Sequence, residues 1–233
     1  MKKNDNILMK KCIWGYRAVI FDMDGTLYFQ TKLRLSMALC LLKYYFCHPL
    51  CLKELFILKK YRYIREHWNK YENLFPTGNM EASQYEYTGM LMKSSKEKVR
   101  QIVQTWIFEK PLSLLEKCED SDLLDLIKHL SENSIKTALY SDYPLKDKMM
   151  ALNLKTDYAF CSLDSEINCM KPDAWAMYAI LHKMNLSADE VLMIGDRYEK
   201  DGLSAINVGM DYIILPQSMP ARIKLYQKLF PIL

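Results

Sequence analysis

Glycine and proline are scarce in this chain, 7 and 8 among 233 residues. Their scarcity excludes long Gly/Ser- or Pro-rich linkers and low-complexity tracts, which need those residues in quantity. The sequence shows no internal repeat. No apolar run reaches the roughly 20 residues that a membrane-crossing helix requires; the most apolar stretch, residues 33–47, carries Arg34 and Lys43. The start is basic (Lys2, Lys3, Lys10, Lys11), but no apolar core or small-residue cleavage pattern of a secretory leader follows. Seven cysteines, an odd number without a leader, read as reduced thiols, so the expected location is the cytoplasm. Cys40, Cys47, His48 and Cys51 lie close together, but no second ligand pair stands at a zinc-site spacing. They read as packing residues of an apolar helix.

What the chain does contain is apolar bulk and unevenly spread charge. Half of its residues are hydrophobic, enough for one large core or a core plus a smaller domain. Net charge is only +4, yet residues 30–110 carry 14 Lys+Arg against 7 Asp+Glu, and the remainder 18 against 21. The basic segment reads as helices. Residues 33–47 are apolar on most sides, which predicts burial between partners, and His48-Pro49 ends them. A second helix covers 53–71, a turn falls at Pro76-Thr77-Gly78-Asn79, and a third helix covers 81–91. Ser94 with Glu97 spells a capping box for a fourth, running to 109, and Pro111 closes the segment.

Beyond it, helices (122–130, 144–152, 173–184, 201–207) alternate with strands (135–140, 158–161, 191–194, 212–215). Ser187 and Glu190 also spell a capping box, but a strand follows directly, so the match reads as accidental. Residues 1–16 read as an exposed lead-in and 17–22 as a first strand. Such alternation implies an α/β fold with a parallel sheet covered on both faces. The predicted division is an α/β core of residues 1–29 and 112–233 with a helical domain of residues 30–111 inserted.

Val19-Ile20-Phe21-Asp22-Met23-Asp24-Gly25-Thr26-Leu27 is the most informative stretch. In an extended chain residues i and i+2 share a side, so Asp22 and Asp24 converge at the carboxyl end of the first strand. Open α/β sheets bind their ligands at such ends. Like charges this close repel and persist together with a cation or a shared proton. Mg2+ is the natural partner for carboxylates of this kind; a surface turn opened by Asp and closed by Gly is the plainer alternative. Ser141-Asp142, Lys171, and Asp196 with Asp201 occupy other strand ends or helix starts. Parallel strands open on one edge, so the set can meet, and together it supplies what phosphoryl transfer to a carboxylate needs.

These segments resemble a known family. Asp22-Met23-Asp24-Gly25-Thr26 is similar to the DxDGT signature of the haloacid dehalogenase-like (HAD) superfamily. Leu139-Tyr140-Ser141-Asp142 resembles its second motif, Lys171-Pro172-Asp173 its third, and Gly195-Asp196-Arg197-Tyr198-Glu199-Lys200-Asp201 the GDxxxxD form of its fourth. The order and spacing fit over nearly the whole chain. The resemblance implies a Rossmann-like core with a helical C1-type cap, as in phosphoglycolate phosphatase and β-phosphoglucomutase-like members. It implies a Mg2+-dependent phosphatase that hydrolyses a small phosphorylated metabolite through an aspartyl-phosphate. By position Asp22 is then the nucleophile, and Asp24 the general acid and later base, a task suited to a carboxyl of raised pKa. Lys171 offsets charge, while Ser141, Asp142, Gly25 and Thr26 bind phosphate. Mg2+ falls to Asp22, the Asp24 carbonyl and Asp196, with Asp201 auxiliary. Within the family, phosphatases and phosphomutases keep the second Asp and haloacid dehalogenases lack it, so Asp24 favours phosphate esters and leaves a mutase open. Tyr28-Phe29-Gln30 stands where many relatives carry Asp or Ser, which leaves the substrate open.

The basic segment admits three readings: a solvated helical face, a grip on an anionic substrate, or a surface for nucleic acid or anionic membrane. Aromatic residues at helical spacing between 59 and 71 usually pack a core, which argues against a nucleic-acid partner. A signalling receiver domain uses a similar residue set, but its acidic pair precedes the phosphorylated Asp. A non-catalytic member would have lost a catalytic position, and none is missing. The apolar helix at 33–47 suits a monomer or a homodimer.

Overall fold

The computed structural model describes residues 6–74 and 79–230, so the turn expected at Pro76-Thr77-Gly78 lies outside the described residues. The chain forms two compact units, residues 1–30 with 118–233, and residues 31–117. The first unit contains the sheet, with strands β1 (Ile7–Leu8), β2 (Ala18–Phe21), β3 (Lys136–Ser141), β4 (Tyr158–Cys161), β5 (Val191–Gly195) and β6 (Asp211–Ile214). Their spatial order is β1-β6-β5-β2-β3-β4. All pairs are parallel except β1 with β6.

β2 is central because its four apolar residues are buried throughout, as a strand covered on both faces must be. From β2 the chain winds outward to β3 and β4, then returns to the other side for β5 and β6. The carboxyl end of β2 is therefore the switch point of a Rossmann-like sheet. Phe21 lies level with Leu139 and Ile194, so three chains leave the sheet side by side.

Residues 6–16 are more than a lead-in. Ile7–Leu8 covers the open edge of β6, and Ile13 and Tyr16 are buried. An unpaired edge invites a partner strand, and two residues are too few to show a period in sequence.

The second unit holds α1 (Gln30–Cys47, beginning at the boundary), α2 (Lys53–Glu66), α3 (Met80–Met92), α4 (Lys96–Val103), a π-helical turn (Gln104–Glu109) and α5 (Leu112–Leu115). Ile57, Tyr61 and Ile64 of α2, Tyr85 of α3, and Val99 and Val103 of α4 form its interior, with Tyr61 stacked on Tyr85 at 5.3 Å. Ser95, not Ser94, caps α4, accepting from the Lys98 N–H. The unit continues past Pro111 because proline fits ahead of a new helical turn. α1 departs from the sequence expectation. It buries only Leu33, Met37 and Tyr45, and Cys40 and Cys47 are exposed thiols, not packing residues. Apolar composition all round a helix does not supply partners for every side.

Around the sheet lie α6 (Ser121–Glu132), α7 (Lys146–Ala151), α8 (Ala174–Met184), α9 (Leu203–Ile206) and α10 (Met219–Leu229). Ile20, Tyr140 and Met193 pack with Ala176, Met177 and Ile180 of α8 and with Ala205 of α9. Ser187 and Glu190 form a true capping box, because a single 3-10 turn (Ala188–Glu190) fits between cap and strand. Arg222 of α10 is fully buried. It donates to Asp120 Oδ2 and the Thr26 carbonyl at 2.7 Å each and to the Gly25 carbonyl, while Tyr226 also donates to Asp120 Oδ2. The far end of the chain thus holds the loop after β2.

Replacing Arg222 with Met strands the buried Asp120 carboxylate and is expected to cost about 3–5 kcal/mol of stability in urea unfolding. A loss below about 1 kcal/mol would show that the clamp carries little.

Candidate active site

The loop after β2 is set by backbone chemistry before any side chain acts. The Asp22 N–H donates to the Ile194 carbonyl at 2.8 Å, extending the ladder by one residue, and the Leu27 N–H closes back on the Met23 carbonyl. Gly25 has φ +99°, and a Cβ there would sit 2.3 Å from Asp196 Oδ2. Only glycine combines that backbone with that approach. Thr26 is wholly buried and donates its hydroxyl to Asp22 Oδ2 at 3.0 Å.

The third and fourth segments meet this loop. Lys171 Nζ, 2 % exposed, donates to Asp22 Oδ1 at 2.6 Å, Asp201 Oδ1 at 2.8 Å and the Tyr140 carbonyl at 3.0 Å. Asp201 turns its other oxygen to the N–H groups of Asp196 and Arg197. Gln217 donates to Asp196 Oδ2 at 3.0 Å. The Asp142 carboxylate accepts from Ser162 Oγ at 2.7 Å and the Lys171 N–H at 3.0 Å, so it orders the segment that carries the lysine.

Charge is crowded here. Burial pushes the Asp22 carboxyl well above the usual range, Lys171 opposes this, and Asp201, Asp196 and Asp24 add to it. Burial also raises Asp196, with Gln217 opposing and Asp201 adding. Burial would lower the Lys171 ammonium, but Asp201 and Asp22 hold it above its ordinary value. Asp22, Asp196 and Asp201 each present an oxygen, all within 4.8 Å of one another. Among the described residues Asp196 Oδ1 is buried without a hydrogen-bond partner. An all-oxygen donor set of net negative charge with one orphaned oxygen fits a hard divalent cation such as Mg2+.

Asp24 faces a different set. Its carboxylate accepts from Ser141 Oγ at 3.0 Å, from Tyr28 and from Lys148, its ion-pair partner. Burial pushes this carboxyl up, but the Lys148 charge and the bonds from Lys148, Tyr28 and Ser141 outweigh it and hold the group below its ordinary value. The raised pKa expected from sequence is therefore not found in the protein by itself, because two of these partners were not foreseen. Lys148 lies on the short helix α7, seven residues past Ser141, where only knowledge of where that helix starts would bring it to the sheet edge. Tyr28 stood out only as a departure from the family pattern.

The structure thus brings Asp22, Asp24, Gly25, Thr26, Ser141, Lys171, Asp196 and Asp201 to one edge of the sheet. Thr26 spends its hydroxyl on Asp22, and Ser141 Oγ is shared between Asp24 and the Tyr143 N–H.

The sequence model of the haloacid dehalogenase-like hydrolases matches residues 16–209. No curated protein matches the sequence significantly. Among solved structures, YfnB from Bacillus subtilis, determined bound to magnesium, is similar at TM-score 0.60 and 17 % identity, over 92 % of this chain and 98 % of that one. The 2-haloacid dehalogenase of Pseudomonas syringae pv. Tomato DC3000 gives 0.58 and 15 %, over 85 % of each. A HAD phosphatase from Thermococcus onnurineus gives 0.51 and 16 %, over 91 % and 97 %. At these identities the likeness is one of fold.

Gly25→Ala is expected to lose clearly more stability in urea unfolding than Gly209→Ala. The Gly209 variant introduces a positive-φ alanine into open space, at about 1–2 kcal/mol. Equal losses would mean that the contact of Gly25 with Asp196 is not rigid.

Proposed function

The chain belongs to the haloacid dehalogenase-like hydrolases, and from that premise we propose that it is a Mg2+-dependent phosphatase. Its substrate is the phosphate ester of a small metabolite, and its intermediate an aspartyl-phosphate on Asp22. The observation that carries this reading is Asp24, a second carboxyl in the loop of Asp22 that contacts a hydroxyl, a phenol and an ammonium. Departure of a halide ion needs no proton, whereas departure of an alkoxide from phosphorus does. A proton-handling carboxyl beside the nucleophile therefore favours phosphate esters over haloacids.

In the proposed reaction an Asp22 oxygen attacks phosphorus, and the bond from phosphorus to the leaving oxygen breaks. Asp24 delivers a proton to that oxygen. It then takes one from water, whose oxygen attacks phosphorus, breaks the bond to Asp22 and releases inorganic phosphate. Lys171 steadies Asp22 and offsets charge on the group in transfer. An anionic phosphoryl group draws Lys148 and Ser141 away from Asp24, removing the Lys148 charge and two of the three side-chain partners that hold its carboxyl down. Mg2+, held by Asp22, Asp196 and the Asp24 carbonyl with Asp201 in support, would supply positive charge against the carboxylates and the phosphoryl oxygens.

Phosphate release from p-nitrophenyl phosphate is expected to require Mg2+, stop with EDTA, vanish in Asp22→Asn and fall by about 10²–10⁴ in Asp24→Asn. Chloride release from 2-chloropropionate, or an active Asp22→Asn variant, would overturn the reading. Mg2+ is also expected to raise the melting temperature of the wild type by several degrees at about 100 times Kd, and to do so far less in Asp196→Asn. Equal shifts would remove Asp196 from the metal site.

A further inference from the structure

The helical unit carries a surface that holds none of the site residues named above. Leu35, Leu39, Leu42 and Phe46 of α1 are 61–89 % exposed. At 3.6 residues per turn they fall within about 60° of arc, one stripe along the helix. The chain continues past it through Leu50, 99 % exposed, and Phe56, 64 % exposed. A contiguous apolar row of this kind marks an interaction surface.

Charge tells what the surface meets. Lys32 and Lys43 border the stripe on one flank and Arg34 on the other, all three exposed, and α1 holds no carboxylate. Residues 31–66 carry eight Lys and Arg against Glu54 and Glu66 alone. Among the described residues no single helix is long and apolar enough to cross a membrane, and the chain bends by 118° between α1 and the segment Pro49–Glu66. A second copy laid on the stripe about a twofold axis would bring its cationic borders toward one another. Nucleic acid would match the cations but leave the leucines in water.

We propose that this unit docks on an anionic lipid bilayer, with α1 in the plane of the interface. Leu35, Leu39, Leu42 and Phe46 enter the acyl boundary, and Lys32, Arg34 and Lys43 extend to the headgroup phosphates. The proposal does not depend on which ester the core hydrolyses.

The test is co-sedimentation of the full chain with vesicles of phosphatidylcholine alone or containing about one-third phosphatidylglycerol, at about 0.1 M and about 0.5 M salt. Binding is expected to the anionic vesicles only and to weaken at the higher salt. A Leu39→Ser/Phe46→Ser variant is expected to bind roughly tenfold or more weakly, with unchanged far-ultraviolet dichroism and melting temperature because both side chains are exposed. A Lys32→Gln/Lys43→Gln variant is expected to lose most of the salt dependence. Absence of binding, or binding untouched by the serine pair, would overturn the proposal. So would a wild-type dimer that the serine pair turns into a monomer with no vesicle binding in either form.

Discussion

One ammonium set among carboxylates governs this protein. Lys171 is buried at the edge of the sheet with Asp22 and Asp201 on its nitrogen and Asp196 close behind. Three ionised carboxylates against one ammonium leave an excess of negative charge, and in a buried site that excess costs stability unless a proton or a further cation answers it. The surroundings are shaped to tolerate the crowd. Glycine at 25 and 195 leaves room for Asp196 and Asp201, where a Cβ would lie 2.3 Å from a carboxylate atom in each case. Arg222 fastens the loop from behind. Local packing has been given up for a site, as functional positions commonly require.

The acidic pair of the first loop is divided between two lysines. Lys171 holds Asp22 and Lys148 holds Asp24, and the two carboxyls are pushed in opposite directions, Asp22 up and Asp24 down. The proposed roles need the opposite order, an ionised nucleophile and a protonated acid. In the proposed chemistry both directions turn with the charged partners: a cation among Asp22, Asp196 and Asp201 brings Asp22 down, and a phosphate ester beside Asp24 brings that carboxyl up. On this proposal each ligand supplies the charge that its half of the pair wants.

The sheet was legible because buried parallel strands are short apolar runs with helices between them, and the polar residues of interest sit where those runs stop. Asp22, Ser141, Lys171 and Asp196 could be placed near one another on that basis alone. Lys148 could not, since a lysine in a short helix carries no sign of which way it turns. Nor could Gln217 or Arg222, which reach the site from the far end of the chain by tertiary packing. Sequence pattern also misjudged α1, whose leucines look like core because hydrophobicity alone does not say whether a partner is present. The capping box at Ser187 failed as a reading for a smaller reason: a 3-10 turn occupies too little chain to be seen beside a strand.

The covalent step on Asp22 is the point on which the proposed reaction stands. Acid quench of the Mg2+-loaded enzyme during turnover of a radiolabelled phosphate ester, followed by peptide mapping, reads it directly. Label on the peptide that contains Asp22, chased out when unlabelled ester follows, is the expected result. Phosphate release with no labelled peptide, or label on a different residue, would contradict it.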